Sequence, residues 1–398
     1  MPSYKYSVYN SAKRSGRNGQ QSRRSSNKKR GEYIDPARFV QVAKPTQAAD
    51  YMPQHQFSDF PLEAGLQANL TAKGFVTPSP IQDQTIPLGL AGKDVIGLAN
   101  TGTGKTAAFA VPVIQALMTR QQAKALIVAP TRELAQQIEQ ECRTIGKGGN
   151  FSGAVLIGGS GMGPQLRDLR QRPRLVIGTP GRIKDHIERG TLKLDTFNIV
   201  VLDEVDRMLD MGFLPDVSFI LKQLMPARQS FFFSATMDPR VQGLIRTFSN
   251  DPETVSVKST DSSDHINQDV VHYAGTHQKL DKLQDILTKE EVSKAIIFDE
   301  TQRSVERLSK ELVARGFAAD AIHGGKTQGQ RQRALESFKA SKTTILVATD
   351  VAARGIDVAD ITHVINYSEP QSYQDYVHRI GRAGRAGRVG HALTFVNS

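Results

Sequence analysis

Residues 100–106 have the composition of a phosphate-binding loop. They read Asn-Thr-Gly-Thr-Gly-Lys-Thr, follow the apolar run 94–99 and lead into an Ala-rich stretch. In such a strand–loop–helix segment, glycines let backbone amides converge on phosphate oxygens, and the helix start adds a favourable dipole. We predict that Lys105 reaches the β- and γ-phosphates of a nucleotide and that the Thr106 hydroxyl binds Mg²⁺.

The loop departs at one position from the usual pattern GxxxxGK[ST]. Ala99 stands where that pattern has its first Gly, but the flanking strand and helix still favour a nucleotide site. A second Gly-Lys-Thr, Gly325 to Thr327, has Asp320 at the corresponding position. Because a carboxylate there would repel phosphate, we expect only the first loop to bind nucleotide. Its predicted contacts are Ala99, Asn100, Thr101, Gly102, Thr103, Gly104, Lys105 and Thr106.

Two acids follow an apolar strand later in the chain. Ile199–Leu202 is typical of a buried strand and is followed by Asp203 and Glu204. Open α/β sheets bind ligands at the carboxyl ends of their strands. We predict that Asp203 holds Mg²⁺, directly or through water, and that Glu204 polarises the water attacking the γ-phosphate. A solvated strand end is the alternative, and the phosphate loop earlier in the chain favours the catalytic interpretation.

The elements that must position these residues alternate along the chain. From Phe57 onward, short apolar runs are separated by helix-length amphipathic stretches such as Arg132–Ile145. Apolar strands alternating with helices indicate βαβ units on a parallel sheet. The polar stretch 258–268 interrupts the alternation and is predicted to be an interdomain linker. The expected fold class is therefore α/β, with two tandem domains at 51–257 and 269–398.

Length and charge limit the partners of this chain. It has 398 residues and a formal net charge of +11, which favours a polyanion, either nucleic acid or an anionic membrane surface. No apolar run approaches the roughly 20 residues that span a bilayer, and the N-terminus lacks the apolar region of a secretory signal. The single cysteine, Cys142, excludes an intrachain disulfide, and a cytoplasmic location is expected.

Residues 1–50 are predicted to be a disordered basic N-terminal extension. Residues 1–31 contain nine Lys or Arg and no acid, and Ser, Gly, Asn and Gln fill most of the rest. Such a segment cannot bury enough apolar surface to offset the entropy cost of ordering. It is either a non-specific RNA-binding arm or a solubilising tail.

From Phe57 onward, the motifs and their order resemble those of bacterial-type DEAD-box RNA helicases of superfamily 2. Residues 203–206 read Asp-Glu-Val-Asp, with Val205 in place of the family's usual Ala. Residues 74–82 resemble the Q motif, which implies that Gln82 reads the adenine edge and that Phe57 stacks on the adenine ring. The resemblance implies two RecA-like domains that use ATP and Mg²⁺.

Further motifs resemble those by which this family binds RNA and couples hydrolysis to unwinding. Their hydroxyls, backbone amides and arginines are groups that contact phosphates without reading bases. The resemblance assigns RNA binding to Pro130, Thr131, Arg132, Gly159, Thr179, Gly181, Arg182, Gln328, Arg331, Thr349, Asp350 and Arg354. It assigns coupling to Ser234, Thr236 and His378.

The resemblance also places catalytic groups on the second domain. Residues 378–385 resemble the family's last core motif, which implies that Arg382 and Arg385 are arginine fingers worth roughly 10³–10⁵ in rate. Gly355 and Asp357, in a motif spanning 348–357, are implied to contact the nucleotide. A generic nucleic-acid patch is the alternative interpretation of the basic run 379–388.

The expected function is that of a monomeric, RNA-stimulated ATPase. It would unwind short RNA duplexes locally and non-processively, or remodel RNA–protein complexes, through sequence-independent backbone contacts and away from membranes. A DNA helicase or translocase of the same superfamily is one alternative, and the Q motif argues against it. An ATP-gated RNA clamp with slow turnover is the other, and multiple-turnover unwinding would exclude it.

Overall fold

The apolar runs between the motifs form the strands of two parallel sheets in the computed structural model. The structure describes residues 34–43, 51–100, 102–257, 265–353, 358, 360–384 and 389–398. Within these residues, neighbouring strands in each of the two sheets are parallel to each other. Parallel strands require crossover connections, and helices provide them here. The expected α/β class with two tandem RecA-like domains is confirmed.

The first domain brings its sequence motifs together through its strand order. Its strands are β1 (Val95–Leu98), β2 (Ala125–Val128), β3 (Gly153–Leu156), β4 (Leu175–Gly178), β5 (Ile199–Leu202), β6 (Gln229–Ser234) and β7 (Glu253–Ser256). Among the described residues they form a seven-stranded sheet in the order β3-β4-β2-β5-β6-β1-β7. Because β5, β6 and β1 are neighbours, the loops that follow them meet at one edge of the sheet.

Helices cover both faces of this first sheet. They are α1 (Ala64–Ala72), α2 (Pro80–Leu90), α3 (Lys105–Thr119), α4 (Arg132–Ile145), α5 (Met162–Arg170), α6 (Pro180–Glu188), α7 (Val205–Asp210), α8 (Leu214–Lys222) and α9 (Pro239–Phe248). Successive strand residues point to opposite faces, so Val95 joins one hydrophobic cluster and Ile96 the other. Both faces are therefore apolar, as parallel sheets require.

The second domain repeats this design. Its strands are β8 (Ile266–Tyr273), β9 (Ala295–Phe298), β10 (Ala319–Ile322), β11 (Ile345–Ala348), β12 (His363–Asn366) and β13 (Gly390–Asn397). Its helices are α10 (Gly275–Leu287), α11 (Gln302–Ala314), α12 (Gln328–Lys339), α13 (Asp350–Ala353) and α14 (Tyr373–Ile380). In the described part of the chain the strand order is β10-β11-β9-β12-β13-β8, which makes β8 an edge strand.

Two predicted boundaries need correction. The predicted linker 258–268 is too long, because Ile266 to Gln268 begin β8 and pair with Gly390 to Ala392. The second domain therefore begins before residue 269. The predicted disorder of residues 1–50 is wrong for 34–43, where a 3₁₀ turn at Pro36–Phe39 buries the Phe39 ring completely. The basic run 1–31 lies outside the described residues.

No helix in the described ranges combines the length and the apolar character needed to cross a membrane.

Candidate active site at the junction of the two domains

The loop between β1 and α3 has the backbone geometry of a phosphate cradle. Gly102 and Gly104 have φ of +85° and +94°, a region that glycine adopts without strain. Lys105 begins α3, and its Nζ donates to the carbonyl of Ala99 at 2.9 Å. The unpaired amides and positive dipole end of α3 thus lie at the loop. Thr101 is outside the described residues.

Gln82 lies against this loop. Its Nε2 donates to the carbonyl of Gly104 at 3.1 Å, and the Ser79 hydroxyl donates to that of Thr103 at 2.8 Å. A Cβ added at Gly104 would lie 2.4 Å from the Gln82 Nε2, so the close approach requires glycine there. The amide predicted to read adenine is therefore held directly beside the predicted phosphate site.

The aromatic ring that lines the cavity is Phe75. Phe57, predicted to stack on adenine, is only 1% exposed and packs against Phe75 with ring centroids 5.0 Å apart. Phe75 lines the cavity together with Gln82 and Lys105. The sequence assignment overlooked Phe75, although it lies within the motif at 74–82.

A buried carboxylate fixes the segment that carries these aromatic residues. Asp83, next to Gln82 in α2, accepts hydrogen bonds from the Tyr51 hydroxyl at 2.5 Å and from the Gln54 amide at 2.8 Å. It also contacts Nδ1 of His55 at 2.7 Å. Burial by itself raises the pKa of Asp83, but these hydrogen bonds outweigh burial and lower the pKa below its usual value. No sequence motif indicated this cluster.

The two predicted catalytic acids are buried at the end of β5. Asp203 is 2% exposed and Glu204 is 6% exposed. Burial, with the neighbouring charge of Glu204, raises the pKa of Asp203 against the opposing effect of Lys105. Glu204 has φ +51° and ψ +54°, a left-handed conformation that is strained for a residue with a side chain.

Arg207 holds the carboxylate of Glu204. Its Nη1 lies 2.5 Å from the Glu204 Oε2, and both side chains are less than 10% exposed. Burial alone would raise the pKa of Glu204, but Arg207, with Lys105 and Arg382, lowers it. Glu204 is therefore held as an anion, as a group that polarises water must be. Arg207 was not among the predicted site residues.

Asp206 joins the acidic motif to the loop after β6. Its Oδ2 accepts from the amides of Ala235 and Thr236 at 3.1 and 3.0 Å and from the Thr236 hydroxyl at 3.2 Å. The amide of Asp206 donates to the Ser234 hydroxyl at 3.3 Å. The hydroxyls of Ser234 and Thr236, both assigned to coupling, therefore hydrogen-bond to Asp206 of the acidic motif.

Arg382 brings the second domain into the same cavity. This cavity has a volume of about 1170 Å³ and is lined by Lys105, Glu204 and Arg382. Arg382 is 4% exposed, and its charge contributes to the lowered pKa of Glu204. Arg385, Arg354, Gly355 and Asp357 lie outside the described residues.

Asp350 and His378, from the second-domain RNA and coupling motifs, lie at the domain junction. Asp350, predicted to bind RNA, pairs in this structure with Arg379, whose Nε and Nη2 are 2.5 and 2.7 Å from its carboxylate oxygens. His378 and Arg382 line a small cleft with Arg207 of the first domain. Asp350 is thus occupied by an ion pair that supports α14.

Three arginines predicted to bind RNA or phosphate lie near one another. Burial and the nearby charges of Arg331 and Arg182 lower the pKa of Arg132. Arg132 covers Gly159, where a Cβ would lie 2.0 Å from its Nη1. Arg182 Nη1 donates to the Ser160 carbonyl at 3.2 Å. Glu133 offsets part of this repulsion, and a bound phosphate would offset more of it.

The remaining predicted RNA residues are placed by helix starts and turns. Thr131 and Thr179 are the N-caps of α4 and α6, and a Cβ at Gly181 would meet open space. The amide of Thr349 donates to the Ile322 carbonyl at 3.3 Å. Pro130 immediately precedes the Thr131 cap.

Gln328 and Arg331 contact the first domain. Arg331 Nη2 lies 2.8 Å from Glu133 Oε1, an ion pair without hydrogen-bond alignment. Gln328 Nε2 donates to Gln136 Oε1 at 3.1 Å. Both residues were predicted to bind RNA, and in this structure they join α12 to α4.

The donors at the cavity fit Mg²⁺ bound with a nucleotide. The Thr106 hydroxyl and the Asp203 carboxylate, both hard oxygen ligands, line the same cavity. Among the described residues, no cluster of three or more His, Cys, Asp or Glu could hold a metal ion. Mg²⁺ commonly binds through one or two protein oxygens completed by substrate phosphates and water, and that donor set is present here.

Sequence comparison matches both domains. The profile described as "DEAD/DEAH box helicase" matches residues 79–244, and that described as "Helicase conserved C-terminal domain" matches 278–387. The ATP-dependent RNA helicase CshA of Limosilactobacillus reuteri is 45% identical over 80% of this chain and 65% of its own length. The protein of the same name from Listeria monocytogenes is 44% identical over 86% of this chain and 66% of its own length. The chain thus spans just under two thirds of these relatives. The DEAD-box ATP-dependent RNA helicase CshA of Bacillus subtilis is 43% identical over 85% of this chain and 69% of its own length.

Solved structures share the two-domain fold. Dbp5 of S. cerevisiae bound to RNA and ADP BeF3 is 28% identical, with a TM-score of 0.75 over 86% of this chain and 89% of that chain. Mss116p bound to ssRNA and AMP-PNP is 29% identical, with a TM-score of 0.78 over 90% of this chain and 77% of that chain.

Proposed function

The chain belongs to the DEAD-box family of ATP-dependent RNA helicases, and from that premise we propose that it hydrolyses ATP when RNA is bound. We further propose that the cycle opens short RNA duplexes locally or remodels RNA–protein complexes. One observation carries the proposal. Lys105 and Glu204 of the first domain and Arg382 of the second line a single cavity, so the ATP site is complete only when the domains meet.

Each cavity residue has a distinct part in hydrolysis. The loop amides and Lys105 bind the phosphates, and Gln82 beside them contacts the base. Asp203 and Thr106 would hold Mg²⁺, which when bound neutralises phosphate charge. Glu204, held as an anion by Arg207, accepts a proton from the attacking water. Arg382 stabilises the negative charge of the transition state.

Domain closure links the ATP site to RNA. The ion pair between Arg331 and Glu133 forms only when the domains are together. Arg132 and Arg182 lie on the same side of the junction and supply phosphate contacts that carry no base information. ATP and RNA should therefore favour the same closed arrangement, and each should tighten binding of the other.

The mode of unwinding follows from this arrangement. If the closed phosphate-binding surface accepts a single strand but not a regular duplex, binding opens base pairs locally. Hydrolysis then disrupts the cavity and releases the strand, so each cycle opens a short stretch without translocation. We propose that the protein acts in this way as a cytoplasmic monomer with little sequence preference.

Strand displacement tests this proposal. With ATP and Mg²⁺, the protein should displace a labelled strand from a duplex of about ten RNA base pairs over many turnovers, and far more slowly from the matching DNA duplex. Arg382→Lys should reduce the rate by roughly 10³, whereas Arg246→Lys, at an exposed arginine of α9, should not. Equal displacement of DNA would instead indicate a DNA helicase. One ATP-dependent binding event without turnover would indicate a clamp.

A further inference from the structure

Residues 34–43, which we call the strap, lie on the second domain although they precede the first domain in the chain. The Phe39 ring is fully buried, with its centroid 4.6 Å from that of Tyr376 in α14. The guanidinium carbon of Arg38 lies 3.8 Å from the centre of the Tyr373 ring. Ile34 completes this apolar cluster. The strap therefore packs against α14, the helix that precedes Arg382.

The strap also pairs with the edge of the second sheet. Gln41 and Gln268 exchange two backbone hydrogen bonds, of 3.0 and 2.7 Å, in an antiparallel bridge. The amide of Ala43 donates to Asn267 Oδ1 at 2.9 Å. The bridge covers the start of β8, an edge strand whose backbone groups would otherwise be open. The strap is thus anchored by both backbone and side-chain contacts.

A second anchor follows on the first domain. Tyr51, Gln54 and His55 all bind the buried carboxylate of Asp83. Asp83 lies in α2, beside Gln82 and the phosphate loop. The chain therefore runs from a fixed point on the second domain to a fixed point next to the nucleotide site of the first.

The connection between these anchors is as short as the interdomain linker. Seven residues, 44–50, separate Ala43 from Tyr51, and seven, 258–264, separate Val257 from His265. Either stretch can reach at most about 29 Å. Both stretches meet the second domain near the start of β8. Residues 44–50 follow Ala43, which bonds to Asn267, and residues 258–264 precede His265. On the first domain they attach to different elements, α2 and the end of β7.

We propose that the strap docks on β8 and α14 as a second tether, which restricts how far and in which directions the two domains separate before ATP or RNA binds. A single covalent connection leaves one domain free to rotate about the other. Two short tethers attached at different points on the first domain remove much of that rotation. They also keep the two domain surfaces that form the ATP site near each other, which raises their effective concentration.

This tether has a consequence for the ATP site. A domain pair that explores fewer open arrangements loses less entropy on closing, so the closed state forms at lower ATP and RNA concentrations. That consequence rests on the proposed function, whereas the tether itself does not. The test therefore measures domain separation without nucleotide or RNA.

Distance measurement between labels on the two domains tests the tether. Lys193→Cys in the first domain and Lys310→Cys in the second introduce labelling sites at exposed positions. The natural Cys142 is buried and can remain. The parent protein should give a narrow distribution of distances. Phe39→Asp should broaden it and shift it to longer distances. Val42→Asp is the matched control, because Val42 is in the same strap but 78% exposed, and should leave the distribution unchanged.

A second variant separates tethering from folding. Inserting about twelve Gly and Ser residues between Ala43 and Tyr51 leaves both anchors intact but lengthens the tether well beyond the linker's reach. It should broaden the distribution as Phe39→Asp does, and should weaken RNA binding in the presence of an ATP analogue by about fivefold or more. Unchanged distances in both the insertion and Phe39→Asp variants would overturn the proposal, whatever the catalytic activity.

Discussion

Arg331 of α12 and Glu133 of α4 form an ion pair of 2.8 Å across the domain junction, and both side chains are at least 90% buried. Glu133 follows the predicted RNA-binding residue Arg132 in the first domain, whereas Arg331 is a predicted RNA-binding residue of the second domain. Their meeting shows that the structure has the domains in a closed relationship, with Arg382 beside Glu204 in the shared cavity. The closed state thus depends on charge pairing on one side of the junction and on the nucleotide site on the other.

Breaking this ion pair should disfavour closure. Glu133→Gln leaves Arg331 buried without a counter-charge, at a cost of roughly 3 kcal/mol to the closed state. RNA affinity with a non-hydrolysable ATP analogue should fall about tenfold or more, and RNA affinity without nucleotide should hardly change. Fluorescence anisotropy of labelled RNA measures both. Glu139→Gln is the control, because Glu139 pairs with Arg143 within α4 itself.

A double-mutant cycle with Arg331→Gln completes that test. If the two residues act as a pair, the double variant should be less impaired than the sum of the single variants. Additive losses would show that Arg331 and Glu133 act separately.

Asp206 should couple hydrolysis to unwinding. Asp206→Asn keeps one oxygen that can accept the hydrogen bonds from Ala235 and Thr236, but it removes the negative charge that strengthens them. Loss of charge-assisted bonds of about 2 kcal/mol should lower the number of duplexes opened per ATP hydrolysed by more than tenfold. Asp216→Asn, at a partly buried partner of Lys184 away from the acidic motif, should leave this ratio unchanged. Equal losses of ATPase and unwinding in Asp206→Asn would contradict the coupling role.

The sequence predicted the fold wherever strands are apolar throughout. The central strands β1 and β5 coincide with the predicted apolar runs 94–99 and Ile199–Leu202. The edge strands β7 and β10 are not apolar throughout, because Glu253–Ser256 and Ala319–Ile322 contain polar residues that an edge position tolerates. A run that is apolar throughout indicates a strand buried on both faces, and these two edge strands lack such a run.

The sequence predicted Lys105, Glu204 and Arg382 of the cavity, but it predicted neither Phe75 nor the residues that support the site. The phosphate loop is recognisable in the sequence because phosphate binding requires glycines and a lysine at a fixed spacing. The bond of Asp83 to Tyr51 and the docking of Phe39 on Tyr376 join residues far apart in the chain. Such contacts exist only in the folded molecule, so no local spacing could indicate them.

Asp83 should stabilise the first domain in a pH-dependent way. Its folded pKa lies below the ordinary value of about 3.9, so its contribution is present above that pH and is lost as pH falls through the folded pKa. Asp83→Asn should lower the free energy of unfolding by about 2 kcal/mol at pH 7. The difference from the parent should shrink below about pH 4. Urea unfolding at several pH values measures it, with exposed Asp195→Asn as control. A difference independent of pH would contradict the assigned charge state.

Val205 should contribute to stability rather than to chemistry. Its side chain is fully buried in the hydrophobic cluster beneath the acids. Val205→Ala, which restores the residue usual in the family, removes two methyl groups and leaves a cavity, so the free energy of unfolding should fall by about 2 kcal/mol. ATP hydrolysis should be retained at the parent's rate. A large loss of hydrolysis in a folded Val205→Ala protein would show that Val205 positions Glu204.

The most direct test of the central claim is steady-state ATP hydrolysis with and without single-stranded RNA, for the parent protein and Glu204→Gln. The account predicts strong stimulation by RNA in the parent and a loss of roughly 10²–10⁴ in Glu204→Gln with nucleotide binding retained. Single-stranded DNA should stimulate weakly. Hydrolysis that RNA does not stimulate, or that survives in Glu204→Gln, would contradict an RNA-dependent ATPase built on this cavity.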